Sequence, residues 1–200
     1  MSTPTGASIA NDALHIVLHI LLLNTEFMEF KFTDPATDFS NGLQVLQDYH
    51  QDFLARGTQL VALASKIKQQ GMSEDLANQC MDMYCHYSHA THLHHKDEEE
   101  GLFPLLVDQS SLVIGMIERL MLDHEEIEES WSNLSTRLSH PEQISNFDHL
   151  LHLTIEFEKI LREHLTREDE DFSPQIKKTL TAEQIKQAGE KMSELRHLSA

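Results

Sequence analysis

Basic residues are few. The 200-residue chain has 15 Lys and Arg against 33 Asp and Glu, a formal charge of −18. A nucleic-acid surface needs a basic footprint, and docking on anionic lipid needs basic clusters, so the balance argues against both partners. Cysteine is nearly absent. Cys80 and Cys85 are too few for a disulfide-stapled fold or a four-thiolate zinc site. They lie five apart on one helix and form no CxxC redox pair. Long apolar runs are missing too. The longest, Ala13 to Leu23, is 11 residues, carries His15 and His19, and is too short to span a bilayer. The stretch before it contains Asp12 and no Lys or Arg, unlike the basic start of a secretory signal, so a cytoplasmic protein is expected. Glycine (7) and proline (5) are scarce, which leaves long stretches of chain without breakers.

What is abundant is histidine, 14 of the 200 residues, in a chain with enough apolar content (40%) for a core. The breakers cluster at Thr33–Pro35, Gly71–Ser73, Pro104–Ser111, Ser139–Pro141 and Ser173–Pro174. Between them the apolar residues recur at helical period with almost no alternation. The pattern predicts six helices, roughly 8–30, 39–70, 73–103, 111–138, 141–171 and 181–197. Ser73 is placed to cap, Pro141 suits a first helical turn, and Thr181 with Gln184 forms a capping-box pattern. Long helices joined by short loops predict an all-α, antiparallel four-helix bundle over 39–175. An apolar helix and linker (1–38) precede it, and a further helix (176–200) follows. The N-terminal helix is apolar on nearly all sides and needs cover, by packing across the bundle or in a homodimer.

Four consecutive helices put a histidine in their apolar stripe. His50 lies with Leu43, Leu46 and Phe53; His95 with Met81, Cys85 and Leu102; His124 with Leu120 and Ile127; His164 with Phe157 and Ile160. Glu99 and Glu168 follow His95 and His164 at i+4 on the same faces. A second register in the third helix, His94 with Glu98, shares its stripe with Met83, Tyr87 and Ala90, and periodicity leaves both open. A single buried histidine is most simply a hydrogen-bonded core residue. Four of them with two inward carboxylates, and no Lys or Arg on those stripes, call for a cation. Imidazole and carboxylate suit divalent iron, manganese or zinc. Four imidazoles and two carboxylates would over-supply one ion and fit a pair, with the carboxylates bridging.

These residues resemble hemerythrin-like domains. His94-His95-Lys96-Asp97-Glu98-Glu99-Glu100-Gly101-Leu102-Phe103-Pro104 resembles the family's HHxxEExxLFP signature. Leu122-Asp123-His124-Glu125, His164-Leu165-Thr166-Arg167-Glu168-Asp169 and Leu46-Gln47-Asp48-Tyr49-His50 resemble its other histidine segments. The intervals of 45, 29 and 40 residues from His50 through His95 and His124 to His164 suit such a bundle. The resemblance implies a non-haem di-iron protein with two oxo- or hydroxo-bridged irons, held by His50, His95, Glu99, His124, His164 and Glu168. It favours His95 and Glu99 over His94 and Glu98. Where the oxygen carriers have a second third-helix histidine, this chain has Glu128, and Asp169 is available beside Glu168. The set is closer to the iron-sensing and repair branch; the repair proteins also carry a cysteine-containing N-terminal domain, and the first 35 residues here contain no cysteine. The expected role is binding or sensing of O2, NO, redox state or iron. The alternatives are a ferroxidase or peroxide-handling di-iron enzyme, and a helical interaction module that needs no metal. Glu194-x-x-His197 is the chain's single Glu-x-x-His spacing, which disfavours a ferritin-like enzyme. His92 is a candidate outer partner or a wall residue, and Glu128 is a candidate outer carboxylate or direct ligand whose simpler reading is a solvated glutamate. His86, His89, His140, His149, His152 and His197 are read as packing or surface residues.

Overall fold

The computed structural model of the protein describes residues 30–198. The expected N-terminal helix, its His15 and His19, and the homodimer through it lie outside the described residues. Four helices make the bundle: α1 (Gly42–Gln70), α2 (Glu74–Lys96), α3 (Ser111–Leu138) and α4 (Phe147–Arg167). α1 packs on α2 and α4, and α3 packs on the same two, which closes a ring of neighbours joined by short connections. Two further helices follow, α5 (Ser173–Thr179) and α6 (Ala182–Leu198). No described residue lies in a β-strand, and no described helix is long and apolar enough to cross a membrane.

Local chemistry sets the helix ends. The side chains of Asn41, Ser73, Ser110 and Asn146 each accept a hydrogen bond from a first-turn N–H of the helix they precede. Gly71, at φ 80°, ends α1 in a conformation that other residues rarely adopt. Gln184 Oε1 accepts from Thr181 N–H while Thr181 Oγ1 accepts from Gln184 N–H, the reciprocal pair of a capping box. One expected start moves. Pro141 opens a 3-10 turn (Pro141–Gln143), and α4 begins at Phe147, where Asn146 supplies the cap that Pro141 cannot.

The expected helix over 73–103 and the one over 141–171 both change character at the same kind of point. α2 runs into a π-helical turn (Asp97–Leu102) and a 3-10 turn (Phe103–Leu106). α4 runs into a π-helical turn (Glu168–Phe172) and then α5. In each, a glutamate carbonyl accepts from the residue five positions on: Glu98 from Phe103, and Glu168 from Ser173. A proline follows each glutamate by six positions, Pro104 and Pro174. Proline has no N–H and crowds the carbonyl four residues back, so the turn before it widens. Ser173-Pro174, expected as a break, is therefore a change of winding.

The core lies on both sides of this level. Phe53 stacks on Tyr87 (5.9 Å between centroids, 10°), and Phe157 meets Tyr87 edge-on at 5.2 Å. At the ends of the π turns and beyond them, Leu102, Phe103, Leu106, Phe172 and Ile176 are buried. Cys80 is buried, and burial pushes its thiol up to about 12, so it is no nucleophile near neutral pH. Phe157 is fully buried and Ile155 is 48% exposed. Phe157→Ala should destabilise the fold by about 3–5 kcal/mol, and Ile155→Ala by no more than about 0.5 kcal/mol. Urea unfolding followed by circular dichroism checks this, and equal effects would contradict the packing described.

Candidate metal centre

Between the two apolar layers the bundle is polar. His50 comes from α1, His94 and His95 from the last turn of α2, His124 from α3 and His164 from α4, and all five are buried. Glu98 and Glu168, also buried, come from the two π turns. Adjacent residues on an α-helix point about 100° apart, so His94 and His95 face different neighbours. His94 meets His50 edge-on at 5.0 Å, and His95 stacks on His124 at 3.9 Å and 8°.

The ligand-type atoms gather in overlapping groups. His50, His94, Glu98 and Glu168 bring such atoms within 4.8 Å of one another; so do His95, His124 and His164; and so do Glu98, His124, His164 and Glu168. The two glutamates join the groups. Glu168 Oε2 lies 3.1 Å from His50 Nε2, 3.3 Å from His164 Nε2 and 3.8 Å from His94 Nε2. Glu98 Oε2 lies 3.0 Å from His124 Nε2 and 4.0 Å from His94 Nε2.

Five of the six residues expected as ligands are thus together: His50, His95, His124, His164 and Glu168. Glu99 is at the rim, its side chain 36% exposed, and its Oε1 accepts from His124 Nδ1–H at 2.7 Å. Glu98 takes the interior position, and His94 joins it, so α2 uses both of its histidine registers. The His94 stripe was visible in sequence through Met83, Tyr87 and Ala90, all buried. His92 is exposed, and Glu128 is a largely exposed carboxylate 3.9 Å from His95 Nδ1.

Outer carboxylates orient two of the rings by hydrogen bonds, and a third carboxylate stands near His164. His50 Nδ1–H donates to Asp169 at 2.9 Å, which turns Nε2 toward Glu168. Glu99 does the same for His124, whose Nε2 faces Glu98. Asp123 Oδ2 is 3.7 Å from His164 Nδ1 and is itself held by Arg167 Nε at 2.7 Å and, through Oδ1, by Arg119 at 2.8 Å. Each π turn therefore carries an inward glutamate followed by an acid that aims a histidine on a facing helix. Such outer bonds fix tautomer and raise ligand basicity.

The donor set fits a cation. Both nitrogens of His94, His95 and His164, Nε2 of His50 and His124, Glu98 Oε2 and both carboxylate oxygens of Glu168 are buried without a hydrogen-bond partner. Several are close to one another but lack hydrogen-bond geometry, an arrangement that costs free energy in a dry interior unless an ion satisfies it. Burial pushes His94 down to about 3 and His95 well below its ordinary value, which leaves their nitrogen lone pairs available. Burial and the charge of Glu168 push Glu98 well above the usual carboxylate range. Burial acts the same way on Glu168, but His164, His50 and His94 around it hold its pKa well below that range. Burial opposes charge on His50, yet the Asp169 and Glu168 carboxylates outweigh it and hold the ring's pKa up at about 10. That proton is one a metal would displace.

The geometry agrees with what is similar to the chain. A sequence model of the hemerythrin HHE cation-binding domain matches residues 41–176. An uncharacterized protein of Haemophilus influenzae is 28% identical over 142 residues, covering 70% of this chain and 81% of that protein. No solved structure matches.

The conflict between the carboxylates is measurable without metal. Glu98's folded pKa lies above its unfolded one, so metal-free stability contributed by its proton is present at low pH and lost as pH rises through the folded value. Metal-free Glu98→Gln should therefore be more stable than wild type at pH 8, by about 1–4 kcal/mol, with the gap closing toward pH 4. Glu99→Gln should show no such gap. Urea titrations across pH in chelator check this; a Glu98→Gln variant no more stable at pH 8 would contradict the conflict.

Proposed function

The chain belongs to the hemerythrin HHE cation-binding domain family, and on that premise we propose that it holds two non-haem irons at which a small diatomic molecule, O2 or NO, is bound or sensed. The observation that carries this is the position of Glu168 Oε2, 3.1 Å from His50 Nε2 and 3.3 Å from His164 Nε2, between two sets of imidazoles. Glu98 repeats it between His124 and His94. His50 and His94 would hold one iron, and His95, His124 and His164 the other, with both carboxylates shared. Two shared carboxylates and five imidazoles leave positions unfilled on a six-coordinate pair. When bound, the irons supply redox-active, open coordination positions.

The protein's own part is to position, neutralise and exclude. Asp169 and Glu99 aim two imidazoles inward, and the Asp123 carboxylate faces His164 Nδ1 at 3.7 Å. Burial keeps His94 and His95 neutral and ready to bind. Phe53 lies 5.4 Å from His94 and Phe103 stacks 6.3 Å from His124, which keeps bulk water off both faces. A cavity of about 20 Å³ touches His50, Glu98 and Glu168 and is walled by Leu46, Leu102 and Phe172. It has room for about one water-sized molecule, which favours a diatomic over a larger substrate. The unsatisfied interior polar atoms argue against a bundle that has no use for metal.

Protein purified from iron-supplemented growth should contain about two irons per chain, the count of a two-metal site. Glu98→Ala and His94→Ala should each lose metal and keep their helicity. Glu99→Ala should keep metal but hold it about 10–100-fold more weakly, as outer-partner variants do. His140→Ala should match wild type. Less than one metal per chain, or a His140→Ala protein as depleted as His94→Ala, would sink the assignment. In anaerobic titration, reversible spectral change with O2 or NO supports a binding or sensing role. Rapid irreversible oxidation would replace it with a ferroxidase or peroxide-handling role.

A further inference from the structure

The bundle needs four helices, yet α6 packs on α1 and on the first π turn. The approach is close. A Cβ on Gly189 of α6 would fall 2.2 Å from the Phe39 carbonyl oxygen, and one on Gly42 of α1 would fall 2.7 Å from the Ala188 Cβ. This contact brings Arg196 inside. Its guanidinium donates Nη2–H to Asp97 Oδ2 at 2.7 Å and to the Tyr49 hydroxyl at 3.2 Å. Nη1–H groups donate to Asp97 Oδ1 and to the Met192 carbonyl (2.7 Å for the latter), and Nε–H donates to Asp34 at 2.9 Å. All five N–H donors of the fork are used. The guanidinium also lies 4.7 Å from the centre of the Phe39 ring.

Two of those partners sit beside residues of the centre. Asp97, fully buried, precedes Glu98. Tyr49 precedes His50, and its ring stacks on His94 at 5.6 Å and 17°. One side chain of the C-terminal helix thus grips the backbone neighbours of His50 and Glu98 and, through Tyr49, the face of His94. The orienting bond of His124 comes from elsewhere, from Glu99, and the carboxylate facing His164 Nδ1, at 3.7 Å, is Asp123 of α3.

We propose that Arg196 is a positioning residue that clamps the His50–His94 half of the centre to α6, so that α6 docking and metal occupancy at that half stabilise each other. This rests on the metal reading above. Coupling of this kind is reciprocal: an ion that fixes His50, His94 and Glu98 also fixes the surface that Arg196 grips. The rival is a salt bridge that merely neutralises Asp97 and is indifferent to metal.

The full-length protein is loaded with iron, then challenged with a chelator. Wild type should release both ions slowly. Arg196→Lys, which keeps the charge but loses the fork, should release one ion about 10–100-fold faster and the other at the wild-type rate. Gly189→Ala, which displaces α6 without touching Arg196, should give the same split. In wild type, amide exchange over residues 189–197 should quicken about tenfold or more on metal removal, while residues 127–138 of α3 stay unchanged. A wild-type chain that holds iron, with an Arg196→Lys variant that releases both ions at the wild-type rate and α6 exchange that ignores metal, overturns the clamp alone. A wild-type chain that takes up no metal overturns the metal reading and the clamp with it.

Discussion

Two carboxylates buried in one dry space set the terms for this structure. Glu98 and Glu168 are each almost fully buried, and no Lys or Arg pairs with either among the described contacts. Without a cation, their charge can be met only by protonation, one by raising the pKa of Glu98 and the other by charging His50. A metal pair would resolve this for all seven inward side chains at once. The bundle supplies the dry walls that make the conflict acute, and the same walls confine whatever binds there.

The backbone is shaped around those two residues. Both lie in π turns, and both turns precede a proline. Widened turns inside α-helices are uncommon and are found often at functional sites. Here each presents a glutamate inward and the next acid outward to a histidine on another helix. The pairs Glu98–Glu99 and Glu168–Asp169 are one device used twice. Arg196 and Asp123 extend it by a further layer, the first from α6 and the second from α3.

The bundle and four of its helices were legible because burial writes itself as a 3.6-residue period. Leu120, His124 and Ile127 on α3, or Phe157 and His164 on α4, are interior wherever the helices are cut. Helix starts were less legible. Pro141 is compatible with a first turn, but Asn146 makes the cap, and both patterns are present in the sequence. The centre was legible as a class of chemistry and less so atom by atom. His94–Glu98 and His95–Glu99 have the same spacing, and an α-helical projection cannot choose between them. It also assumes a winding that stops at Lys96. The structure uses both histidines and turns Glu98 inward, with Glu99 at the rim. The paired prolines at Pro104 and Pro174 were the sequence signal that the winding changes. Arg196 was beyond reach, because its meaning depends on a contact 99 residues away, with Asp97.

The central claim is that Glu98 and Glu168 are shared by two metal ions. X-ray absorption on the iron-loaded protein tests it most directly. A first shell of nitrogen and oxygen from imidazole and carboxylate, together with a second iron at about 3–4 Å, is the predicted result. A single isolated iron, or a shell without imidazole scattering, would contradict it.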